Sequence, residues 1–299
     1  MGDTAEQARW LRETVGVRAL AMAAIRVTGE DARSWLNGQI TNDVSRTEAG
    51  DAVYALAVDT KGKIASDLWA LDRGDEGFEL VVPADRLAPL LAHLDKYVVM
   101  EDVDLEGRAV TVVSAQGPRH AELGLEGFEC DRLGAGGTDV VDGDLAAAVE
   151  AAEALGGGEV SAEAWELARL RAGRPAIGVD FDDKTLPQEA GLRDLAVSFS
   201  KGCYVGQEVV CMLESRGQLR RRLVQARADA LPEPGAEVLV DGAAVGSVRS
   251  GALDPEDGKA WILALVKRKH AVVGLALETP AGTMTVREVL GGDSRSPAL

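Results

Sequence analysis

The segment KGCYVGQE at residues 201–208 places a thiol between a lysine-glycine pair and an aromatic residue. An apolar stretch at helical spacing follows it, and if a helix begins here, Cys203 lies at its positive end. That position and the neighbouring Lys201 favour the thiolate, the nucleophilic form of cysteine. A small buried cysteine is the alternative, but Gly202 and Gly206 allow the backbone to approach a ligand or partner closely. We therefore predict that Cys203 is the functional thiol and that Lys201 assists it.

The remaining cysteines and the histidines provide no comparable pattern. Cys130 and Cys211 lie next to or within apolar stretches, so we assign them no role. An odd number of cysteines at irregular spacing fits neither a disulfide framework nor a metal-ligand set. The histidines at positions 93, 120 and 270 are isolated from one another and from the cysteines. We expect free thiols and no metal site.

Charge and composition restrict the class of partner. The chain has 299 residues, of which 46% are hydrophobic, and a formal net charge of −17 from 32 basic and 49 acidic residues. Such a surface repels nucleic acid and anionic membranes, so we expect no general binding to either. A basic run at 216–222 fits an anionic ligand and a solvated linker equally well. No targeting or membrane-spanning segment is evident, and we expect a cytoplasmic protein.

Alternating strands and helices must position these residues. Strand-like runs at 52–58, 64–71 and 78–82 are separated by turn residues, which predicts consecutive antiparallel strands. Helical signals are a capping-box-like start at 28–31, apolar spacing from 87 to 98 with Pro89 in the first turn, an N-cap at Asp144, and the stretch 161–171. The pattern predicts an α+β body of pseudo-repeated antiparallel sheet-plus-helix units.

The composition changes near residue 222, where short β runs begin. These runs lie at 238–240, 245–248, 261–266, 272–277 and 283–289. The dipeptide Asp241-Gly242 tolerates positive φ and suits a tight hairpin turn. We predict a body over 1–222, divided near 110–160 into two subdomains, and a small C-terminal β-barrel domain over 223–299.

The octapeptide at 201–208 resembles the signature of the YgfZ branch of the folate-binding YgfZ/GcvT family. Further segments similar to that family follow in the same order, at 27–32, 35–36, 39–44, 61–63 and 186–190. The resemblance spans nearly the whole chain. It implies a ring-like arrangement of α+β units plus a barrel, with a reduced folate such as tetrahydrofolate bound near the centre. It also implies an accessory role in iron-sulfur protein maturation or repair, with iron-sulfur assembly factors or client proteins as partners.

The resemblance also implies folate contacts. Glu189 matches the glutamate of a Pro-x-Glu-Ala segment of the family, and a carboxylate can accept paired hydrogen bonds from an aminopterin ring. Asn42 and Asp43 are further candidates, although such a pair equally well forms a turn. Gln207, within the octapeptide, completes the predicted cofactor-binding set.

Two other functions remain open. The glycine-cleavage aminomethyltransferase of the same family passes a one-carbon unit to tetrahydrofolate, and its branch has acidic residues where this chain has Arg171 and Ser66. A charge reversal at a folate-facing position is hard to reconcile with unchanged pterin recognition, so we expect no aminomethyltransferase turnover. The other alternative is a non-catalytic scaffold that responds to folate.

Overall fold

The computed structural model describes residues 3–216 and 219–292. Its helices are α1 (Thr4–Glu13), α2 (Ala32–Gln39), α3 (Leu87–Leu94), α4 (Leu145–Ala154), α5 (Ala162–Arg171), α6 (Arg193–Ala196) and α7 (Gln207–Arg216). Its strands are β1 (Gly16–Thr28), β2 (Ala52–Val58), β3 (Ile64–Asp72), β4 (Phe78–Pro83), β5 (Asp104–Gln116), β6 (Phe128–Glu129), β7 (Gly137–Val141), β8 (Gly158–Glu159), β9 (Arg221–Ala228), β10 (Glu237–Val240), β11 (Ala243–Leu253), β12 (Ala260–Lys267), β13 (Ala276–Thr279) and β14 (Gly282–Val289).

One continuous sheet forms the body. Its strand order is β2-β3-β4-β1-β5-β7-β6, and the short β8 pairs in parallel with β1. β1 is the central strand, since it pairs antiparallel with β4 from Met22 to Val27 and with β5 over its full length. The predicted antiparallel run β2-β3-β4 is confirmed. β1 therefore joins the strands β2–β4 on one side of the sheet to β5, β7 and β6 on the other.

The helix starts follow the local signals in the sequence. The Asp144 side chain accepts hydrogen bonds from the backbone N–H groups of Ala146 and Ala147, which confirms it as the N-cap of α4. Ser161 caps α5 in the same way. Pro89 lies in the first turn of α3, where its missing N–H costs no helical hydrogen bond.

The C-terminal strands close into a barrel. Among the described residues its order is β10-β11-β12-β9-β14-β13, and the pairing of Leu239 with Glu278 closes it. The predicted hairpin turn is confirmed, because Asp241 and Gly242 both have positive φ, at 51° and 75°. The α+β class with a C-terminal β-barrel is therefore confirmed, and β9 adds a strand that the sequence patterns did not reveal.

Helix α5 attaches the barrel to the body. The Gln225 side chain of β9 donates to the carbonyl oxygens of Leu170 and Arg171, at 2.7 and 2.9 Å. Beside it, the buried Asp180 accepts hydrogen bonds from Arg169 at 2.6 Å and from the Ser250 hydroxyl of β11. A buried carboxylate requires such partners, so this network fixes the barrel against α5.

We expect Asp180→Ala to destabilise the fold by about 3–5 kcal/mol, because it leaves the buried Arg169 short of a counter-charge and the Ser250 hydroxyl without its acceptor. Arg12→Ala is the matched control. It removes an ion pair between body and barrel, with Glu256, in which the Arg12 side chain is 47% exposed, and its expected cost is below about 1 kcal/mol. Urea unfolding measures both values, and equal costs would contradict a structural role for the buried network.

Candidate functional site

A cavity of about 250 Å³ lies at the centre of the body, between the sheet and α5. The sheet contributes side chains from β1, β2 and β3, and the loop before β7 and the chain after α5 close the other side. Residues that line it include Leu20, Met22, Tyr54, Asp67, Trp69, Arg132, Trp165, Arg169, Arg174, Ile177 and Leu192. The lining is mainly apolar and aromatic with a few charged groups, which is typical of sites for organic ligands.

Two carboxylates line this cavity, Asp131, which is partly exposed, and Asp67, which lies deeper. The Tyr54 hydroxyl donates to its Oδ2 at 2.8 Å, whereas its Oδ1 has no hydrogen-bond partner among the described residues. Burial raises the pKa of Asp67, although the Tyr54 hydrogen bond opposes the shift. Burial and the nearby Asp67 charge raise the pKa of Tyr54, so the hydroxyl stays a donor. An unpaired buried oxygen is costly unless a ligand or water pairs with it.

Aromatic and cationic groups flank this carboxylate. The Trp69 and Tyr54 rings are tilted against each other with centroids 5.2 Å apart, and the Arg132 guanidinium lies 5.9 Å from the Trp69 ring centroid. Asp139 neutralises Arg132 at 2.6 Å. Arg174, which also lines the cavity, pairs with the half-exposed Asp131 at 3.1 Å. Of the arginines that line the cavity, Arg174 is therefore the one whose charge is least neutralised by a buried carboxylate.

The sequence analysis did not single out these cavity residues. Asp67 stands in the middle of an apolar strand, and its alternation with buried neighbours places it on the face of β3 that carries Trp69. A lone acid inside a strand is a signal that could have identified it. Arg132 carries no such signal, because the fold brings it to Trp69 from a distant loop.

Lys201 anchors the 201–208 loop to the body. Its ammonium donates to the carbonyl oxygens of Asn37, Ile40 and Asn42, at 2.7, 2.9 and 2.5 Å. Burial lowers the pKa of Lys201 to about 8, with the Asp43 charge acting in the opposite direction. The ammonium therefore fixes the loop against the end of α2, and its predicted action on the Cys203 thiol stays untested.

Two backbone approaches hold the rest of the loop in place. The Val205 N–H donates to the carbonyl of Gly38 at 3.0 Å. Gly206 has φ of 77°, and a Cβ there would come within 2.3 Å of the Asp59 carbonyl oxygen. Only glycine fits that position, because both the backbone conformation and the space exclude a side chain.

The expected helix start at Cys203 is wrong. Helix α7 begins at Gln207, four residues later, because residues 202–206 follow the contacts just described instead of helical hydrogen bonds. The Gln207 side chain donates to the Gly202 carbonyl at 3.3 Å and closes the loop on itself. A helix dipole acts mainly within the first turn, so it does not supply the predicted activation of the thiol.

The three cysteines differ in exposure. Cys203 is exposed, Cys211 is partly buried and Cys130 is buried. Burial raises the pKa of the Cys130 thiol far above its ordinary range. Exposure therefore separates Cys203 from the other two, and a functional role for it stays a prediction.

Asn42 and Asp43 form a turn rather than part of the cavity lining. The Asp43 carboxylate accepts from the Ser45 N–H at 2.9 Å and from its hydroxyl, which lowers the pKa of Asp43. The Asn42 amide donates to the Tyr54 carbonyl at 2.9 Å. Through Asn42, the turn that holds Lys201 thus also supports the strand that carries Tyr54 into the cavity.

Glu189 lies apart from the cavity lining as well. It is buried, and its carboxylate pairs with Arg221 of β9 at 3.3 Å and accepts weakly from the Leu186 N–H. Its backbone carbonyl accepts from Leu223 at 2.9 Å. In this position Glu189 connects the body to the first barrel strand. The structure therefore brings Lys201, Asn42, Asp43, Cys203 and Gln207 into one neighbourhood and leaves Glu189 outside it.

The structure places Arg171 at the junction with the barrel, and its relation to a bound folate stays untested. Arg171 does not line the central cavity, because Asp254 of the barrel side holds its guanidinium at 2.6 Å. Ser66 is buried and its hydroxyl donates to the Asp67 carbonyl at 2.8 Å. The charge at position 171 therefore serves the junction between body and barrel.

No group of three or more potential metal ligands occurs within residues 3–216 and 219–292. Over the same part of the chain, no helix has the length and apolar character needed to cross a bilayer.

Known proteins resemble the chain in sequence and in fold. An aminomethyltransferase of Nostoc sp. is 30% identical over 86% of this chain and 78% of its own length. The chain belongs to the YgfZ/GcvT family. The model of the GCVT N-terminal domain matches residues 2–130 of this family member. A tRNA-modifying protein YgfZ of Vibrio atlanticus is 30% identical over 67% of this chain and 66% of its own length.

The fold of the family is evident in a solved structure. The glycine cleavage system aminomethyltransferase T from Bartonella henselae superposes with a TM-score of 0.82 at 21% identity, covering 98% of this chain and 90% of that one. At this identity the likeness shows a shared fold.

We expect Lys201→Met to cost about 2–3 kcal/mol, since it leaves three carbonyl groups without their charged donor. Hydrogen exchange at residues 37–42 and 201–206 should accelerate with it. Lys61→Met, at an exposed lysine of the β2–β3 hairpin, is the control and should stay within about 0.5 kcal/mol of the parent. Denaturant unfolding with amide exchange measures both, and unchanged exchange in the 201–206 segment would contradict the anchoring role.

A limiting amount of iodoacetamide should label Cys203 first under native conditions, Cys211 more slowly and Cys130 last. Exposure and thiolate access decide this order. Peptide mass spectrometry measures the order, and denatured protein, in which all three thiols react, is the control. Faster labelling of Cys211 would show that the 201–208 loop does not present its thiol.

Proposed function

We propose that the central cavity binds a reduced folate, with tetrahydrofolate as the ligand to be tested first. The unpaired Oδ1 of Asp67 carries this proposal, because a buried carboxylate oxygen inside an organic-ligand cavity matches the N–H groups of a reduced pterin ring. Membership of the YgfZ/GcvT family supports the same ligand class. The folate ring would supply the donors that Asp67 otherwise lacks.

The rest of the lining fits the other parts of a folate. Trp69 and Tyr54 offer aromatic faces for ring packing. The volume of about 250 Å³ lies just below the usual range for ligand pockets of about 300–1,000 Å³, so only the ring fits inside and the tail extends outward. Arg174, paired only with Asp131 among the described residues, is placed to receive a tail carboxylate.

We assign the cellular role to the YgfZ type, as a folate-binding accessory protein for iron-sulfur protein maturation or repair. Two observations support this assignment: the exposed Cys203 thiol and the contacts by which Lys201 and Gly206 fix its loop against the body. In this role the Cys203 thiol contacts an iron-sulfur assembly factor or client protein at the surface while folate occupies the cavity. Complementation of an iron-sulfur enzyme defect by the parent, but not by Cys203→Ser, tests it.

One-carbon transfer to folate is the second candidate, and Asp67 itself favours it. A carboxylate with a raised pKa beside a bound ring can exchange a proton with a ring nitrogen. With Arg171 engaged by Asp254, its charge no longer argues against this reaction. Methylene transfer from an aminomethyl-lipoyl protein, measured with the parent and Asp67→Asn, distinguishes the two candidates.

We expect Asp67→Asn to weaken tetrahydrofolate binding at least about tenfold, because it removes a charged acceptor worth roughly 1.5–3 kcal/mol. Calorimetry under anaerobic, reducing conditions measures the affinity. The N–H groups of the ligand favour the ionised form of Asp67. The parent should therefore lose affinity as the pH falls through the pKa of Asp67, which lies above the ordinary value of about 3.9. The asparagine variant should show no such pH dependence.

Asp43→Asn and Glu189→Gln serve as controls, since neither residue lines the cavity. They should bind tetrahydrofolate as the parent does. Loss of binding in Glu189→Gln at unchanged stability, with Asp67→Asn unaffected, would move the folate site to the junction with the barrel. Absence of binding by the parent at millimolar ligand would overturn the proposal.

A further inference from the structure

Val99 and Met100 project from the loop between α3 and β5 and are called the 99–100 knob. With exposures of 78% and 93%, they are the two most exposed large hydrophobic side chains among the described residues. Single exposed apolar residues are common on protein surfaces. Two adjacent ones at the tip of a loop are unusual enough to require a reason, and packing within this chain does not provide one.

The knob is held in place rather than free to collapse. The Glu101 carboxylate accepts hydrogen bonds from the N–H groups of Val99 and Met100, at 3.1 and 3.0 Å. Directly before the knob, the Trp35 indole donates to the Tyr97 carbonyl at 2.9 Å and ties the loop to α2. The fold thus keeps two apolar side chains directed into solvent.

A second set of contacts fixes the other side of the loop. The Asp31 N–H donates to the Asp102 carbonyl at 3.2 Å, and the Asp102 N–H donates to the Asp31 carboxylate at 2.9 Å. Gly29 has φ of 113°, and a Cβ there would come within 2.0 Å of the Asp102 carbonyl oxygen. The β1–α2 turn therefore packs directly against the loop at a position where only glycine fits.

Acidic residues predominate in the two segments at the base of the 99–100 knob. They are Glu101, Asp102, Asp104 and Glu106 on the segment that follows it and Glu30 and Asp31 on the turn bound to Asp102, whereas Lys96 is the basic residue that precedes it. These acidic residues do not form a potential metal site among the described residues. Nucleic acid and anionic lipid carry the same sign of charge, and a second copy of this chain brings its own net charge of −17. Charge complementarity therefore selects a basic partner surface.

We propose that the 99–100 knob is a docking site for a partner protein whose apolar socket is rimmed by lysine and arginine. The two apolar side chains fill the socket and provide most of the affinity, as anchor residues at interface centres do. The acidic residues at its base speed encounter and set orientation. A rigid knob binds without a large ordering cost, because its conformation exists before the partner arrives.

The position of the knob places such a partner near the 201–208 loop. Tyr97 contacts α2 through Trp35, and Lys201 and Val205 contact its last turn through Asn37 and Gly38. Helix α2 has eight residues and is therefore about 12 Å long. An interface of ordinary size, about 800 Å² on each side, spans that length.

The first measurement uses the full-length chain with p-benzoylphenylalanine in place of Met100, irradiated in the native host cells. The matched probe carries the same group in place of Val273, which is 63% exposed in a loop that follows Arg268 and Lys269. One protein should crosslink at position 100 and not at 273, through a surface rich in lysine and arginine. The proposal is overturned if no crosslink forms or if both positions give the same products. It is also overturned if the product is lipid, nucleic acid or a second copy of the chain.

The crosslinked protein is then purified and its affinity for this chain is measured by calorimetry. Val99→Ser with Met100→Ser should weaken binding at least about tenfold, whereas Val272→Ser with Val273→Ser should not change it. Asp104→Lys should slow association and reduce its salt dependence. Thermal unfolding should be unchanged in the serine variants, since the side chains are exposed, and equal affinities for both serine pairs contradict the docking site.

Discussion

The Lys201 ammonium donates hydrogen bonds to the carbonyl oxygens of Asn37, Ile40 and Asn42. Removing an ammonium group from water costs several kcal/mol, and here three backbone carbonyl acceptors and the nearby Asp43 charge offset part of that cost. The acceptors belong to the end of α2 and the turn after it. One side chain therefore fixes the start of the 201–208 loop to the turn that supports Tyr54.

Local signals in the sequence predicted the elements whose causes are local. The Asp144 cap, the position of Pro89 and the Asp241-Gly242 turn each depend on a few neighbouring residues, and all are present in the structure. β1 was not predicted, because its exposure follows no simple alternation and its two partner strands lie far along the chain. Its role at the centre of the sheet is a property of the whole fold.

In the candidate site, too, the sequence indicated the residues with local signals and not those that tertiary packing brings together. The octapeptide drew attention to Cys203 and Lys201, which the structure places in one exposed and anchored loop. The pairing of Tyr54 with Asp67 across two strands, and the approach of Arg132 to Trp69, depend on tertiary packing that spacing does not encode. Glu189 fits a family segment, yet its carboxylate faces Arg221, because the first barrel strand passes directly beside it.

The turn at Asn42 belongs to both regions, since its carbonyl accepts from Lys201 and its side chain donates to the backbone of Tyr54. Tyr54 in turn donates to Asp67 in the cavity. Thermodynamic linkage requires that influence along such a connected set run equally in both directions. If a ligand in the cavity strengthens binding at the 201–208 loop by some factor, a molecule bound at the loop strengthens binding of that ligand by the same factor. Binding in the cavity and binding at the 201–208 loop would then share one free energy of coupling.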